Sequence, residues 1–407
     1  MAGQASSRDT EMKSLGSDGR VGIVSWDYGE HAEGGLGRAM AEMATCFCGN
    51  GLHLLSRQIR TVSVRAPRSP FPQRMNCIVQ RFSRMIQCIA DSRYLFIIGL
   101  WFGLQQWIDT HRIRTVILPT GPGGLYLWRK PKRCRLIVVS YHMYWQQARM
   151  VPGQWWKRIF VPLERRTLVF ADRVLCYSKD TERVLLRQYG VPRPKLTLLP
   201  QLLDLDTWHL RLQPTTYHLQ PKESGLCVFI GRLGRRKGIS ILLRAWEHFQ
   251  THQHANVLLH RPRLVIVGNG RLRRRIDRMI ARLPSVSRVP SLPQEELVRL
   301  VQRAEIVVCP SYLEGFGLAC AEAMAAGTAV VASDCDGLRS LIRHGETGWL
   351  VPVGDPVALQ KGLCHLLGNI DLRSHLATSA QEHMRRFFNW EEATQRFLAE
   401  VVYSSCA

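Results

Sequence analysis

Two carboxylates eight residues apart, Glu314 and Glu322, frame a pair of glycines, Gly315 and Gly317, in the run CPSYLEGFGLACAEAMAAGTAVVASDCDG at 309–337. An ionised carboxylate only accepts hydrogen bonds, so it suits the hydroxyl donors of a sugar or a ribose. Glycines just ahead of a helix let backbone N–H groups approach a ligand closely, and the start of a helix favours a negative group. One site of this kind could grip a hexose, a diphosphate and a ribose together. The competing reading is a glycine-rich strand-to-helix turn with two solvated glutamates. A second stretch, FIGRLGRRKG at 229–238, brings Arg232 and Lys237 to the end of an apolar strand at Gly231. Arg binds phosphate oxygens in bidentate fashion and Lys supplies a compact charge, a combination suited to a diphosphate. A solvated basic loop is the alternative in a chain with 55 Lys and Arg.

Such residues need strands and helices to position them. Apolar runs at Leu226–Ile230, Arg263–Val267, Glu305–Val308 and Ala329–Ala332 read as strands, with helices at about 239–250, 270–283, 294–303 and 318–326. Strands alternating with helices imply parallel βαβ units and a Rossmann-like sheet. The first half repeats the pattern, with strands at Val21–Ser25, 61–65, 115–119, 136–140 and 173–177 and helices within 75–110 and 154–170. Its first strand runs into a glycine-rich turn at Gly34, Gly35 and Gly37. Between the halves the periodicity lapses over 200–224, where Pro200, Pro214 and Pro221 punctuate an irregular stretch. The fold class expected is α/β, with two Rossmann-like domains facing a cleft.

Composition bounds the rest. A chain of 407 residues, 46% hydrophobic, exceeds what one core usually organises. A formal net charge of +23 predicts attraction to polyanions: nucleic acid, an anionic membrane surface or phosphorylated substrates. Twelve cysteines are scattered, with Cys46 and Cys48 the only close pair, which fits neither a zinc ribbon nor a disulfide framework and suits a reducing cytosol. The opening MAGQASSRDTEMK has no secretory apolar stretch. The strongest apolar run, Leu95–Leu104, has half the ~20 residues that cross a bilayer and reads as a buried or interfacial helix.

Taken together these residues resemble the retaining glycosyltransferases of the GT-B type, family 4. The resemblance runs from Val21 to the C-terminus and is strongest over 226–353. It rests on the Glu314–Glu322 pattern, on GRLGRRKG, on IVGNG at 266–270 with Gly268, and on HGETGWLVPVGD at 344–355. It implies that Arg232 and Lys237 hold the donor diphosphate, and that Glu314 with the amides of Gly315, Phe316 and Gly317, followed by Leu318, meets the donor sugar. Glu322 would take the ribose. Gly35, in the N-terminal glycine loop, would approach the donor phosphate, and His142, in VVSYHMYW, would face the donor sugar. Asp204 matches the aspartate that follows the first domain, in a positional role. The chain departs from the family where Gln201 and Leu202 replace a usual Asn-Gly, where Ser291 replaces a common glycine, and where Asp336 and Ser340 replace a frequent glycine and glutamate.

The organisation this implies is a mobile N-terminal tail over 1–20, an acceptor-side domain over 21–200, a linker over 201–224 and a donor-binding domain over 225–385. The last segment, 386–407, is expected to form a helix returning to the N-terminal domain. The implied activity is a retaining transfer of a hexose-type sugar from a nucleotide diphosphate sugar to a glycan, lipid-linked or small-molecule acceptor. No cofactor or metal is expected, since cations and helix-end amides can stabilise the leaving diphosphate. The Asp204–Asp206 and Asp334–Asp336 triplets are accordingly read as structural. Basic and tryptophan-rich stretches, Arg129–Arg135 and Trp155–Arg166, suit an anionic membrane surface, or else two solvated helix faces. A cytoplasmic protein, peripheral on the inner face of the membrane, follows from the first reading. The rivals are a basic nucleic-acid-binding protein, suggested by RLRRRIDRMIAR at 271–282 although no recognised nucleic-acid motif accompanies it, and a sugar-nucleotide epimerase or phosphorylase of the same architecture.

Overall fold

The computed structural model describes residues 20–25, 35–46, 52–56, 92–121, 125–199, 201–202, 221–251, 262–388 and 390–401. The expected tail up to residue 19, the strand expected at 61–65, Gly34, Pro200, Asp204, Asp206 and Pro214 lie outside the described residues.

The first half alternates β1 (Arg20–Ser25), α1 (Gly35–Thr45), β2 (Leu52–Ser56), α2 (Ser92–His111), β3 (Ile113–Thr120), β4 (Arg135–Ser140), α3 (Tyr144–Met150), α4 (Val161–Phe170), β5 (Arg173–Cys176), α5 (Lys179–Arg187) and β6 (Leu196–Leu198). The second begins with β7 (Leu226–Ile230), α6 (Ile239–Thr251), β8 (Arg263–Val267), α7 (Arg273–Ile280), β9 (Val286–Val289), α8 (Gln294–Arg303), β10 (Ile306–Cys309) and α9 (Leu318–Ala325). It continues through β11 (Ala329–Ser333), α10 (Leu338–Leu341), β12 (Trp349–Val351), α11 (Pro356–Leu367), α12 (Ile370–Phe387) and α13 (Trp390–Val401).

Among the described residues every strand pair is parallel, in two six-stranded sheets ordered β2-β1-β3-β4-β5-β6 and β12-β11-β10-β7-β8-β9. The α/β class and the two Rossmann-like units are as the sequence implies. Strands buried on both faces read as unbroken apolar runs, and IVVC of β10 and AVVAS of β11 are buried at every residue. Strand order reverses between β1 and β3 and again between β7 and β10. In such sheets ligands bind outside the carboxyl ends of the strands at that reversal. The loops after β7 and β10 carry FIGRLGRRKG and the Glu314 run, so topology alone brings these two stretches together.

The last helix leaves the second sheet. Ala380 and Met384 of α12 pack with Val330 and Ala332, whereas Ala393, Phe397 and Val401 of α13 join Ile23, Ile117, Ile137 and Val139 in the core of the first sheet. Arg173 closes the contact through an ion pair to Glu400 of 2.7 Å. The apolar run Leu95–Leu104 lies in α2, with Ile97, Leu100 and Leu104 buried and Ile98 and Phe102 exposed. Among the described residues no helix is long and apolar enough to cross a membrane.

Candidate active site

The site is built where the turn after β7 meets the loop after β10. A short 3-10 turn, Arg235–Lys237, ends at Gly238, whose φ of 65° is in the left-handed region. A Cβ at Gly238 would lie 1.7 Å from the Pro310 carbonyl oxygen. Only glycine lets the two backbones touch here, and the contact sets Lys237 beside Glu314. One carboxylate oxygen of Glu314, Oε1, accepts from Lys237 Nζ at 2.6 Å and from Ser311 Oγ at 2.7 Å. The other, Oε2, accepts from Arg236 Nη1 at 2.9 Å, and the same guanidinium nitrogen donates to the Leu313 carbonyl at 2.8 Å. Burial by itself would push the Glu314 carboxyl up; Lys237 and Arg236, with the hydrogen bonds from Lys237 and Ser311, outweigh it and hold the group far below the usual carboxylate range. Glu314 is therefore a fixed, ionised acceptor in a buried setting.

The backbone continues into α9. Gly317 precedes the helix at φ 101° and no side chain caps the helix start. Uncapped first-turn amides form an anion-binding end. The helix start lines a recess shared with Lys237, Ser311 and Glu314 and, on its apolar side, with Phe229 and Leu338. The Phe316 ring packs in the core against Phe388, and Leu318 packs partly buried against the same core. Gly231 and Gly268 hold the neighbouring strand ends backbone to backbone, since a Cβ on Gly268 would lie 2.0 Å from the Gly231 carbonyl oxygen.

The first domain contributes from across the cleft. A Cβ at Gly315 would be 2.8 Å from Tyr141 Cβ and 2.9 Å from the Tyr141 carbonyl oxygen, so only glycine fits where the two domains meet here. His142 follows Tyr141, between β4 and α3. Both of its ring nitrogens are buried, and neither has a hydrogen-bond partner among the described residues. Burial, then Arg236, with Lys237 adding to them against the opposing pull of Glu314, keep the imidazole well below its ordinary pKa and hence neutral.

The structure thus gathers His142, Lys237, Glu314, Gly231, Gly315 and Gly317 at one place. Arg232 is exposed two residues beyond β7, in the turn that leads to Lys237. Glu322 is buried within α9, 1% exposed, and does not wall the recess. Gly35 opens α1 after β1. Of the aspartate triplets, Asp334 pairs with Arg339 at 2.6 Å and Asp336 accepts from Gln146.

Sequence reasoning missed Arg236 and Ser311. The first stands in the RRK run beside Lys237, and the second three residues before Glu314, so spacing alone carried a signal for each.

Known proteins resemble this chain in sequence and in fold. Residues 217–383 match the family described as Glycosyl transferases group 1, and residues 34–207 match Glycosyltransferase Family 4. A D-inositol 3-phosphate glycosyltransferase from Xylanimonas cellulosilytica is 30% identical over 250 residues, 58% of this chain and 58% of that protein. The chain therefore spans less than two thirds of the length of that curated relative. Among solved structures, sucrose-phosphate synthase from Thermosynechococcus elongatus superimposes with a TM-score of 0.69 at 21% identity, over 95% of this chain and 100% of that one. HepE from Anabaena, in complex with UDP-glucose, gives 0.65 at 16% identity, over 95% and 99%. At these identities the likeness speaks to the fold. The two family matches cover the two halves of the chain in turn, and the chain belongs to the family 4, group 1 glycosyltransferases.

Proposed function

We propose that this protein transfers a hexose-type sugar, with retention, from a nucleotide diphosphate sugar to a glycan or lipid-linked acceptor. The observation that carries the reading is the buried Glu314 carboxylate, held ionised by Lys237 and Arg236 beside an uncapped helix start. An acceptor that stays ionised across the neutral range can fix the hydroxyls of the donor sugar. Lys237 spends one of its three donors on Glu314 and keeps two for a phosphate. With Arg232 and the α9 amides it would stabilise the charge that builds on the departing nucleoside diphosphate, at about 3 kcal/mol for one well-placed donor. Glu322 would take the ribose.

Both oxygens of Glu314 are already engaged, which favours binding over nucleophilic attack. The neutral His142 ring would face the donor sugar, and the leaving phosphate would take the acceptor proton. On this reading residues 21–200 serve the acceptor, residues 225–385 bind the donor, and no metal is required. The protein would work at the cytoplasmic face of an anionic membrane, held there by its basic, tryptophan-bearing surface.

Calorimetric titration with UDP- and GDP-sugars, with and without chelator, tests the reading. Chelator-insensitive binding is expected, with Lys237→Ala lowering transfer about a hundredfold and Glu322→Ala weakening the nucleoside diphosphate itself. A folded protein that binds none of these donors would falsify the assignment.

A further inference from the structure

His142 makes no hydrogen bond through its ring among the described residues, so its placement rests on the backbone of its own loop. That loop is tied at three points. The Tyr141 carbonyl accepts from Thr181 Oγ1 at 2.8 Å, the Tyr144 N–H donates to Glu164, and the Met143 N–H donates to Gln146 Oε1 at 2.8 Å. Gln146 extends the third tie across the cleft. Gln146 is fully buried, and its Nε2 donates to Asp336 Oδ2 of the second domain at 3.0 Å.

Asp336 also touches the other half of the site. Its carbonyl accepts the Glu314 N–H at 3.2 Å. The next residue, Gly337, has φ 86°, and a Cβ there would lie 2.6 Å from the Glu314 carbonyl oxygen, so the turn is pressed directly on Glu314. Three hydrogen bonds therefore join the loop that carries His142 to the loop that carries Glu314. They run from the Met143 amide through Gln146 and Asp336 to the Glu314 amide. A glycine at position 336 would have no side chain to make the middle bond.

We propose that Gln146 and Asp336 are positioning residues that set His142 against Glu314 when the two domains close. This rests on the functional reading above. The contact is unlike simple domain adhesion, because each end lands on the amide of a site residue or of its immediate neighbour. A displacement of about 1 Å between reacting groups costs up to about a hundredfold in rate, so the clasp acts on turnover more than on donor affinity.

Steady-state kinetics on Asp336→Gly, Asp336→Asn, Gln146→Ala and the Asp336→Gly/Gln146→Ala pair tests it, with thermal melts to confirm folding. Each of Asp336→Gly and Gln146→Ala is expected to lower kcat about tenfold or more, with donor KM within about twofold. Asp336→Asn, whose side-chain oxygen still accepts from Gln146, should stay near the wild-type kcat. The double variant should be no slower than the slower single variant, because both break one path. Unchanged kcat in the single variants, losses that multiply in the pair, or a rise in KM alone would each overturn the positioning role while leaving the functional reading intact. A wild-type protein that transfers no sugar from any nucleotide donor would overturn both.

Discussion

Glu164 is a carboxylate buried in the core of the first domain, where it accepts the Tyr144 N–H with both oxygens, at 3.1 and 2.9 Å, and the Tyr189 hydroxyl. No ion pair reaches it among the described residues. Burial pushes its pKa up to about 8, against the opposing hydrogen bonds from Tyr189 and Tyr144. The unfolded chain titrates this group near 4.5, the ordinary range of a glutamate. Between those two values the folded state binds the proton more tightly, so the stability linked to Glu164 is complete below about 4.5 and is lost as pH rises through about 8. Melting temperature should therefore fall between about pH 4.5 and about pH 8 and level off above that, and Glu164→Gln, which keeps an acceptor for Tyr144 and cannot ionise, should flatten that fall. Calorimetric melts of the two proteins across the range decide it, and parallel curves would mean that Glu164 does not titrate as its burial demands. The sequence carried no hint of this residue's state, since a glutamate in PLERR reads as one more solvated charge until α4 is seen to pack it inward.

At the scale of elements, the site depends on one turn resting on one loop. Substituting Gly238→Ala places a side chain in the left-handed region, at a cost of roughly 1–2 kcal/mol, and drives it into the Pro310 carbonyl. The turn bearing Arg236 and Lys237 must then move off Glu314. Transfer should drop at least about tenfold and the melting temperature should fall, as read by kinetics beside circular dichroism; wild-type turnover in this variant would show that the contact is dispensable. The strands flanking this turn were legible because β7, β8, β10 and β11 are apolar runs of four or five residues closed by glycine, proline or aspartate. The edge strands were not. LTL of β6 and WLV of β12 have three residues each, and VSRV of β9 alternates with polar groups, too short a pattern to separate from a loop. LHLLS of β2 carries as little signal, and the basic run 271–282 holds a shorter helix, α7, than its length suggests. Within the site, Lys237 and Glu314 stand in short local motifs and could be found by reading along the chain. Gln146 and Asp336 are 190 positions apart and meet only because two domains close, a relation that local periodicity does not encode.

At the scale of the whole molecule, the charge of +23 is joined to a concentration of exposed apolar side chains on the first domain. The segment Trp155–Phe160, WWKRIF, forms a 3-10 turn with no buried residue, and Trp155 and Ile159 are 73% and 67% exposed. Val169 on α4, Trp128, and Ile98 and Phe102 on α2 are exposed as well. Trp128 links these elements, with Trp101 of α2 at 5.8 Å and the Arg166 guanidinium of α4 at 4.5 Å from its ring. Tryptophan and isoleucine standing beside Lys157, Arg158, Arg165 and Arg166 match the boundary of an anionic bilayer, where apolar groups enter the headgroup layer and each nearby cation adds about 1 kcal/mol. A surface that binds polyanions by charge alone would have no use for the exposed rings. The same segment borders the cleft: Lys157 lies 5.8 Å from the Tyr144 ring, two residues beyond His142, and Arg235 of the second domain donates to the Pro152 carbonyl at 3.4 Å. A lipid-borne acceptor held at this surface would thus enter on the side of the site where His142 stands. The protein should sediment with vesicles containing phosphatidylglycerol and weakly or not at all with pure phosphatidylcholine. Trp155→Ser, Trp156→Ser and Ile159→Ser combined should cut that binding about tenfold while leaving transfer to a water-soluble acceptor unchanged. Vesicle binding that survives the triple variant but vanishes in moderate salt would reduce the surface to a nonspecific basic patch, because screening removes charge attraction and leaves the burial of tryptophan in the headgroup layer untouched.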